Sequence, residues 1–88
     1  MTKEEKILLK VLRGVSDRNL QFNELCKLLT RLGFEERTRG SHRIFFRTNI
    51  EEIINLQPKG NLAKPYQVKQ VRNLILKYKL GGVEDDKV

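Results

Sequence analysis

The amino-acid sequence predicts an α+β fold in which a three-stranded antiparallel sheet packs with helices, in the order α-α-β-β-β-α. Three observations lead there. Apolar residues recur at helical spacing over residues 2–15, 22–32 and 65–80. The stretch between the second and third of these is broken by the turn signals Gly40-Ser41 and Thr48-Asn49. The chain has 88 residues, 39% of them hydrophobic and 33% charged, which suits one small domain with a thin core. A three-stranded sheet needs one face covered, and the flanking helices can cover it.

Each element has a local reason. In the first helix, over 2–15, Leu8, Val11, Leu12 and Val15 fall at i, i+3, i+4 and i+7, and Glu4 and Glu5 favour the positive end of the helix dipole. Gly14 and the polar run Ser16-Asp17-Arg18-Asn19 stop it. The second helix, over 22–32, carries Phe22, Leu25, Cys26, Leu29 and Leu32 on one face, with Gly33 as its natural stop. Three short strands are expected at 34–39, 42–47 and 51–57, with Ile44 and Phe46 on the core side of the middle one. Pro65 fits the first turn of the last helix, over 65–80, whose inner stripe is Val68, Val71, Ile75 and Tyr78. Gly81-Gly82 ends it, so residues 1–82 form the domain and 83–88 a frayed tail. Helix, three antiparallel strands, helix is also the order of double-stranded-RNA-binding domains, with residues 1–15 as an addition.

Composition narrows the function. Eighteen Lys and Arg against eleven Asp and Glu leave a formal charge of +7, which points to an anionic partner such as nucleic acid or an acidic protein. The single cysteine, Cys26, excludes an internal disulfide framework and a multi-Cys metal site. The single histidine, His42, excludes a His-rich metal centre. No metal and no cofactor are expected. The longest apolar runs, such as Leu74-Ile75-Leu76, are far short of the roughly 20 residues of a spanning helix, and nothing resembles a signal region, so a cytoplasmic location is the default. Cys26 sits on an apolar stripe as a core thiol, and Tyr66 and Tyr78 are expected to be half-buried in the last helix. Glu35-Glu36 and Glu51-Glu52 are adjacent on strands and so point to opposite faces.

The candidate chemistry centres on Gly40-Ser41-His42. Arg37, Arg39, His42, Arg43 and Arg47 crowd into residues 37–47. An imidazole titrates near neutrality and can act first as base and then as acid. Arginines beside it hold a phosphate and offset its developing charge. This equipment suits a phosphodiester with a neighbouring 2′-hydroxyl, which is RNA and not DNA. Strict alternation places His42 on the side of Ile44 and Phe46, so it reaches solvent only at the open end of the sheet or past a bulge. A second basic group, Lys59, Lys64, Lys69 and Arg72, offers a track for the RNA backbone or ordinary solubilising charge.

These residues also carry a resemblance. Gly33-Phe34 follows a helix; Arg37, Gly40-Ser41-His42 and Phe45 follow on a hairpin; Lys59-Gly60, Lys64-Pro65 and an amphipathic helix ending at Leu80-Gly81 come next. In this order, over residues 22–80, the chain resembles the HicA toxins of HicA–HicB toxin–antitoxin pairs. The resemblance implies a metal-independent mRNA endoribonuclease with His42 as its catalytic histidine. The family's Gly-Ser context falls on Gly40 and Ser41, and with the basic Arg37, Arg39, Arg43, Lys59 and Lys64 these are the expected RNA contacts. The resemblance also implies an acidic HicB-like antitoxin that covers the site, and it leaves a homodimer and a toxin–antitoxin hetero-oligomer both open. Many members carry a second histidine before the last helix, where this chain has Gln57-Pro58-Lys59-Gly60. The competing expectations are a non-catalytic RNA-binding module on the same basic face and a protein-binding domain for an acidic partner.

Overall fold

Thr2 starts the first helix, α1 (Lys3–Arg13), with a reciprocal cap. Its Oγ1 accepts from the Glu5 N–H at 3.2 Å, and its own N–H donates to the Glu5 carboxylate at 3.3 Å. The pair satisfies donors that a helix start leaves open, and the bond from the Thr2 backbone holds the Glu5 carboxyl below its usual range. The computed structural model describes residues 2–82, so the tail expected at 83–88 lies outside the described residues. Ile7 and Val11 are buried, with Leu8 and Leu12 packed beside them. Val15, expected to close this stripe, is 81% exposed. The helix ends at Arg13, and the left-handed turn at Gly14 (φ 71°) takes Val15 out of helical register.

The second helix, α2 (Phe22–Arg31), buries Phe22, Leu25, Cys26 and Leu29 as expected, and Leu28 as well. Leu32 closes it and is also buried. Burial pushes the Cys26 thiol up, which leaves it inert as a nucleophile. The strands β1 (Glu35–Arg39), β2 (His42–Arg47) and β3 (Ile50–Leu56) form an antiparallel sheet in the order β1-β2-β3. Arg39 pairs with His42 across the Gly40-Ser41 turn, and Arg47 pairs with Ile50 across Thr48-Asn49. Gly40 (φ 62°) and Asn49 (φ 74°) take the left-handed conformation that tight hairpins need. The ladder slips between Phe45, which faces Ile54, and Arg47, which faces Ile50.

The third helix, α3 (Pro65–Tyr78), buries Val68, Val71, Leu74 and Ile75 and packs on β3. It ends at Lys79, in the left-handed conformation, rather than at residue 80. A short 3-10 turn, Leu80–Gly82, follows it. The helix α1 packs against both α2 and α3. One guanidinium fixes that arrangement: Arg72 Nη1 donates to the Val11 carbonyl at 3.1 Å and to Asp17 Oδ1 at 3.0 Å. Arg72, counted in the sequence with the basic track, is therefore a structural strut.

The sheet has one covered and one open face. Phe45, Ile54 and Leu56 are fully buried under the helices. Arg43 and Arg47 flank Phe45 on this side, Arg43 with its guanidinium 5.5 Å from the Phe22 ring centre and Arg47 against Gly33. The core position of the middle strand is thus Phe45, not Ile44 or Phe46. Ile44 and Phe46 share the open face with His42, and Ile53 there is 62% exposed. Aliphatic arginine stems make the Arg-Phe-Arg side apolar enough to pack.

Candidate functional site

The turn residues Gly40 and Ser41 bring Arg39 and His42 directly opposite each other at the end of β1 and β2. Such a pair has its Cβ atoms about 5 Å apart. Both side chains lie on the open face and are exposed. Arg37, two residues back on the same face, holds its guanidinium 5.7 Å from the Phe46 ring centre. Arg37, Arg39, Ile44, Phe46 and Ile53 together line a shallow cleft on this face.

His42 Nδ1 lies 2.9 Å from Asn55 Oδ1 on β3. An amide oxygen accepts only, so this contact places the proton of the neutral ring on Nδ1. The Nε2 lone pair is then the basic one. A histidine turned by a second group, with its other nitrogen free, is the arrangement of an oriented general base. Asn55 is in turn held through the backbone beside it. The side chain of Gln67 on α3, 1% exposed, faces Gln57. It donates to the Gln57 carbonyl and accepts from the Gln57 N–H, both at 3.2 Å. The helix thereby pairs with the chain just beyond β3 as a further strand would. Gln57 also donates from Nε2 to Ser41 Oγ at 3.3 Å, tying the two sides of the site end together.

The other candidate residues fall in two places. Arg43 is on the covered face, opposite to His42, where its Nε meets Glu36 Oε2 at 3.4 Å. Gly40 and Ser41 lie between the two faces and line a cavity of about 400 Å³ together with Arg43. Lys59 and Lys64 share an open cleft with Pro58, Pro65 and Tyr66. Tyr66, expected to be half-buried, is 64% exposed. It stands on the first turn of α3, where the apolar stripe begins only at Val68. Its ring is open to stacking in the cleft that Lys59 and Lys64 also line. Lys69 is exposed on α3. Among the described residues no group of three His, Cys, Asp or Glu side chains could hold a metal ion, and no helix is long and apolar enough to cross a membrane.

Residues 22–78, more than half of the chain, match the family described as "HicA toxin of bacterial toxin-antitoxin". The chain belongs to the HicA toxin family. No curated protein and no solved structure matches it. As a HicA toxin it is one half of a toxin–antitoxin system, with an antitoxin as its counterpart. The match begins at Phe22 and ends at Tyr78, so it takes in the sheet, α2 and α3 and leaves α1 outside. Every group described at the His42 end of this HicA sheet, including Asn55, Gln57 and Gln67, lies within it.

Asn55, Gln67 and Tyr66 were not legible as site residues from type and spacing. For Asn55 there was a signal. Counting back from a hairpin closed by Arg47 and Ile50, an unbroken ladder sets His42 opposite Asn55. The slip moves Asn55 opposite Ile44, one diagonal step from His42, which is still within reach of an imidazole. Nothing in the sequence marks Gln67 apart from its place on the inner stripe of a helix.

Proposed function

We propose that this HicA toxin is an endoribonuclease that cleaves mRNA by internal transfer, with His42 as the proton carrier. His42 Nε2 takes the proton of a ribose 2′-hydroxyl. The 2′-oxygen attacks the adjacent phosphorus, and the bond from phosphorus to the 5′-oxygen breaks. The imidazolium then returns its proton to the leaving 5′-oxygen. The products are a 2′,3′-cyclic phosphate and a 5′-hydroxyl end. Arg39, and Arg37 behind it, offset the charge that builds on the phosphate oxygens. Lys59, Lys64 and Tyr66 guide the strand along the site end of the sheet.

One observation carries this proposal: the His42–Asn55 contact, which leaves Nε2 as the base on an exposed face beside Arg39. The proposed antitoxin is a HicB-like acidic protein that places carboxylates over the basic surface and buries His42. The test is a cleavage assay on mRNA with EDTA present, comparing the native chain with His42→Ala. Loss of cleavage with RNA binding retained is expected. A folded His42→Ala chain that still cuts RNA overturns the mechanism, and a native chain that binds RNA without cutting it makes the domain a binding module.

A further inference from the structure

The cavity on the far side of the Gly40-Ser41 turn is not used by the chemistry at His42. It is a built cavity. The segment before α2 is tied to the loop before α3 by two backbone bonds, Phe22 N–H to the Asn61 carbonyl and Ala63 N–H to the Leu20 carbonyl, each 2.9 Å. That tie brings Asn23 on α2 and Asn61 in the loop to the same opening as Arg43 and Pro58. Its volume of about 400 Å³ lies within the range of small-ligand pockets, about 300–1,000 Å³.

The chemistry of its lining is selective. Arg43 has its guanidinium 5.5 Å from the Phe22 ring centre and its Nε 3.4 Å from Glu36, and its side chain remains 39% exposed. A guanidinium fixed in this way is a stacking platform for a planar ring. Asn23 and Asn61 line the cavity and are both exposed. An amide and a guanidinium are the two side-chain types that pair by two bonds with the N7 edge of adenine and guanine. Pyrimidines have no N7.

We infer that this cavity is a nucleobase pocket that seats a purine next to the cleaved linkage, an inference that rests on the ribonuclease proposal. Ser41 lines the cavity and His42 follows it directly in the chain. A strand crossing the turn therefore presents its phosphate to His42 on one face and a neighbouring base to Arg43 on the other. The pocket makes cleavage selective for a purine beside the cut.

The experiment uses the full chain carrying His42→Ala, which holds RNA without cutting it. Isotope-labelled protein is titrated with tetramers of adenosine, of uridine and of cytidine. The side-chain signals of Asn23, Asn61 and Arg43 are followed by NMR together with the backbone signals around residue 42. The adenosine tetramer is expected to move the three pocket signals and to bind about tenfold more tightly than the others. Adding Asn61→Ala or Arg43→Lys is expected to bring that ratio near one, with circular dichroism unchanged. RNA that moves the signals around residue 42 but leaves the pocket signals in place overturns the pocket and leaves the ribonuclease proposal standing. So does an equal response to all three tetramers. No shift anywhere, with any tetramer, removes the pocket and the RNA-binding site together.

Discussion

In the proposed mechanism His42 and Asn55 divide two tasks that a single histidine cannot perform alone. The imidazole carries the proton, and the amide decides which nitrogen does so. Removing the imidazole, His42→Ala, should lower the cleavage rate by about 10²–10⁴-fold, the usual share of general acid–base catalysis. Removing only the amide, Asn55→Ala, takes away one exposed hydrogen bond, worth about 1 kcal/mol, and should slow cleavage by about fivefold with RNA affinity unchanged. Single-turnover rates on an RNA of defined sequence measure both. An Asn55→Ala chain that weakens binding and leaves the rate alone would make Asn55 an RNA contact instead. The residue scale is also where the sequence was least legible. His-Ile-Phe looks more like a core strand than Arg-Phe-Arg does, because residue type hides how much of an arginine is hydrocarbon. The alternation of β2 was readable, and which of its faces the helices cover was not.

At the scale of elements, two tethers hold the helices in place, and each makes a separate prediction. On the covered side of β3, Glu52 accepts from Lys77 Nζ at 2.7 Å and from Tyr78 O–H at 2.6 Å. The Lys77 bond first, and then the Tyr78 bond, bring the Glu52 carboxyl down to about 2. The same contacts push the Lys77 ammonium and the Tyr78 phenol up. A lowered carboxyl stabilises the fold above its free value of about 4.3 and loses that contribution as pH falls towards its folded value. A raised lysine or tyrosine contributes below its free value of about 10 and loses that contribution as pH rises beyond it. The melting temperatures of the native chain and Glu52→Gln should therefore differ by a constant amount between about pH 5 and 9 and converge on either side. A difference that does not change from pH 2 to pH 11 would remove the tether from the account. The second tether is Arg72 at the end of α1. Gly14 has φ 71°, and a Cβ there would come within 2.9 Å of Arg72 Nη1. Gly14→Ala should cost about 1–2 kcal/mol for the left-handed backbone alone, and more once the guanidinium is displaced, as read by urea unfolding. The elements themselves were largely legible, because apolar spacing and turn residues act locally. The Thr2–Glu5 cap could be read from its spacing, whereas the Arg72 strut could not, since it joins residues 55 apart.

For the whole molecule, the +7 charge sets how RNA is held in the proposed function. Binding by the His42→Ala chain should weaken with salt at a log–log slope of about −0.7 for each phosphate neutralised on a single strand. Arg39→Ala should flatten that slope by about one such contact. Salt-independent binding would show that the basic surface does not carry the affinity. An acidic antitoxin competing for the same surface should release labelled RNA from the His42→Ala chain, and a ternary complex that retains the RNA would mean inhibition from a distance. The α+β class and its order were readable from sequence at this scale, because a short sheet flanked by amphipathic helices has few ways to bury itself. The division of the basic residues between two faces was not, since it depends on where the helices settle.

The Arg72 strut also bears on how the toxin comes into being. During synthesis α1 leaves the ribosome before the sheet, and the guanidinium that caps its carbonyl end leaves after the whole sheet has been made. Until α3 appears, the Val11 carbonyl and Asp17 wait for their donor, and Gln57 beyond β3 lacks the amide that pairs with its backbone. The hairpin that carries His42 is thus complete in sequence well before it is complete in structure. A nascent chain halted before α3 holds His42 but not the framework that steadies Asn55. If His42 acts as proposed, its surface is steadied only once α3 has been made, which gives a co-expressed antitoxin time to be present when that surface forms.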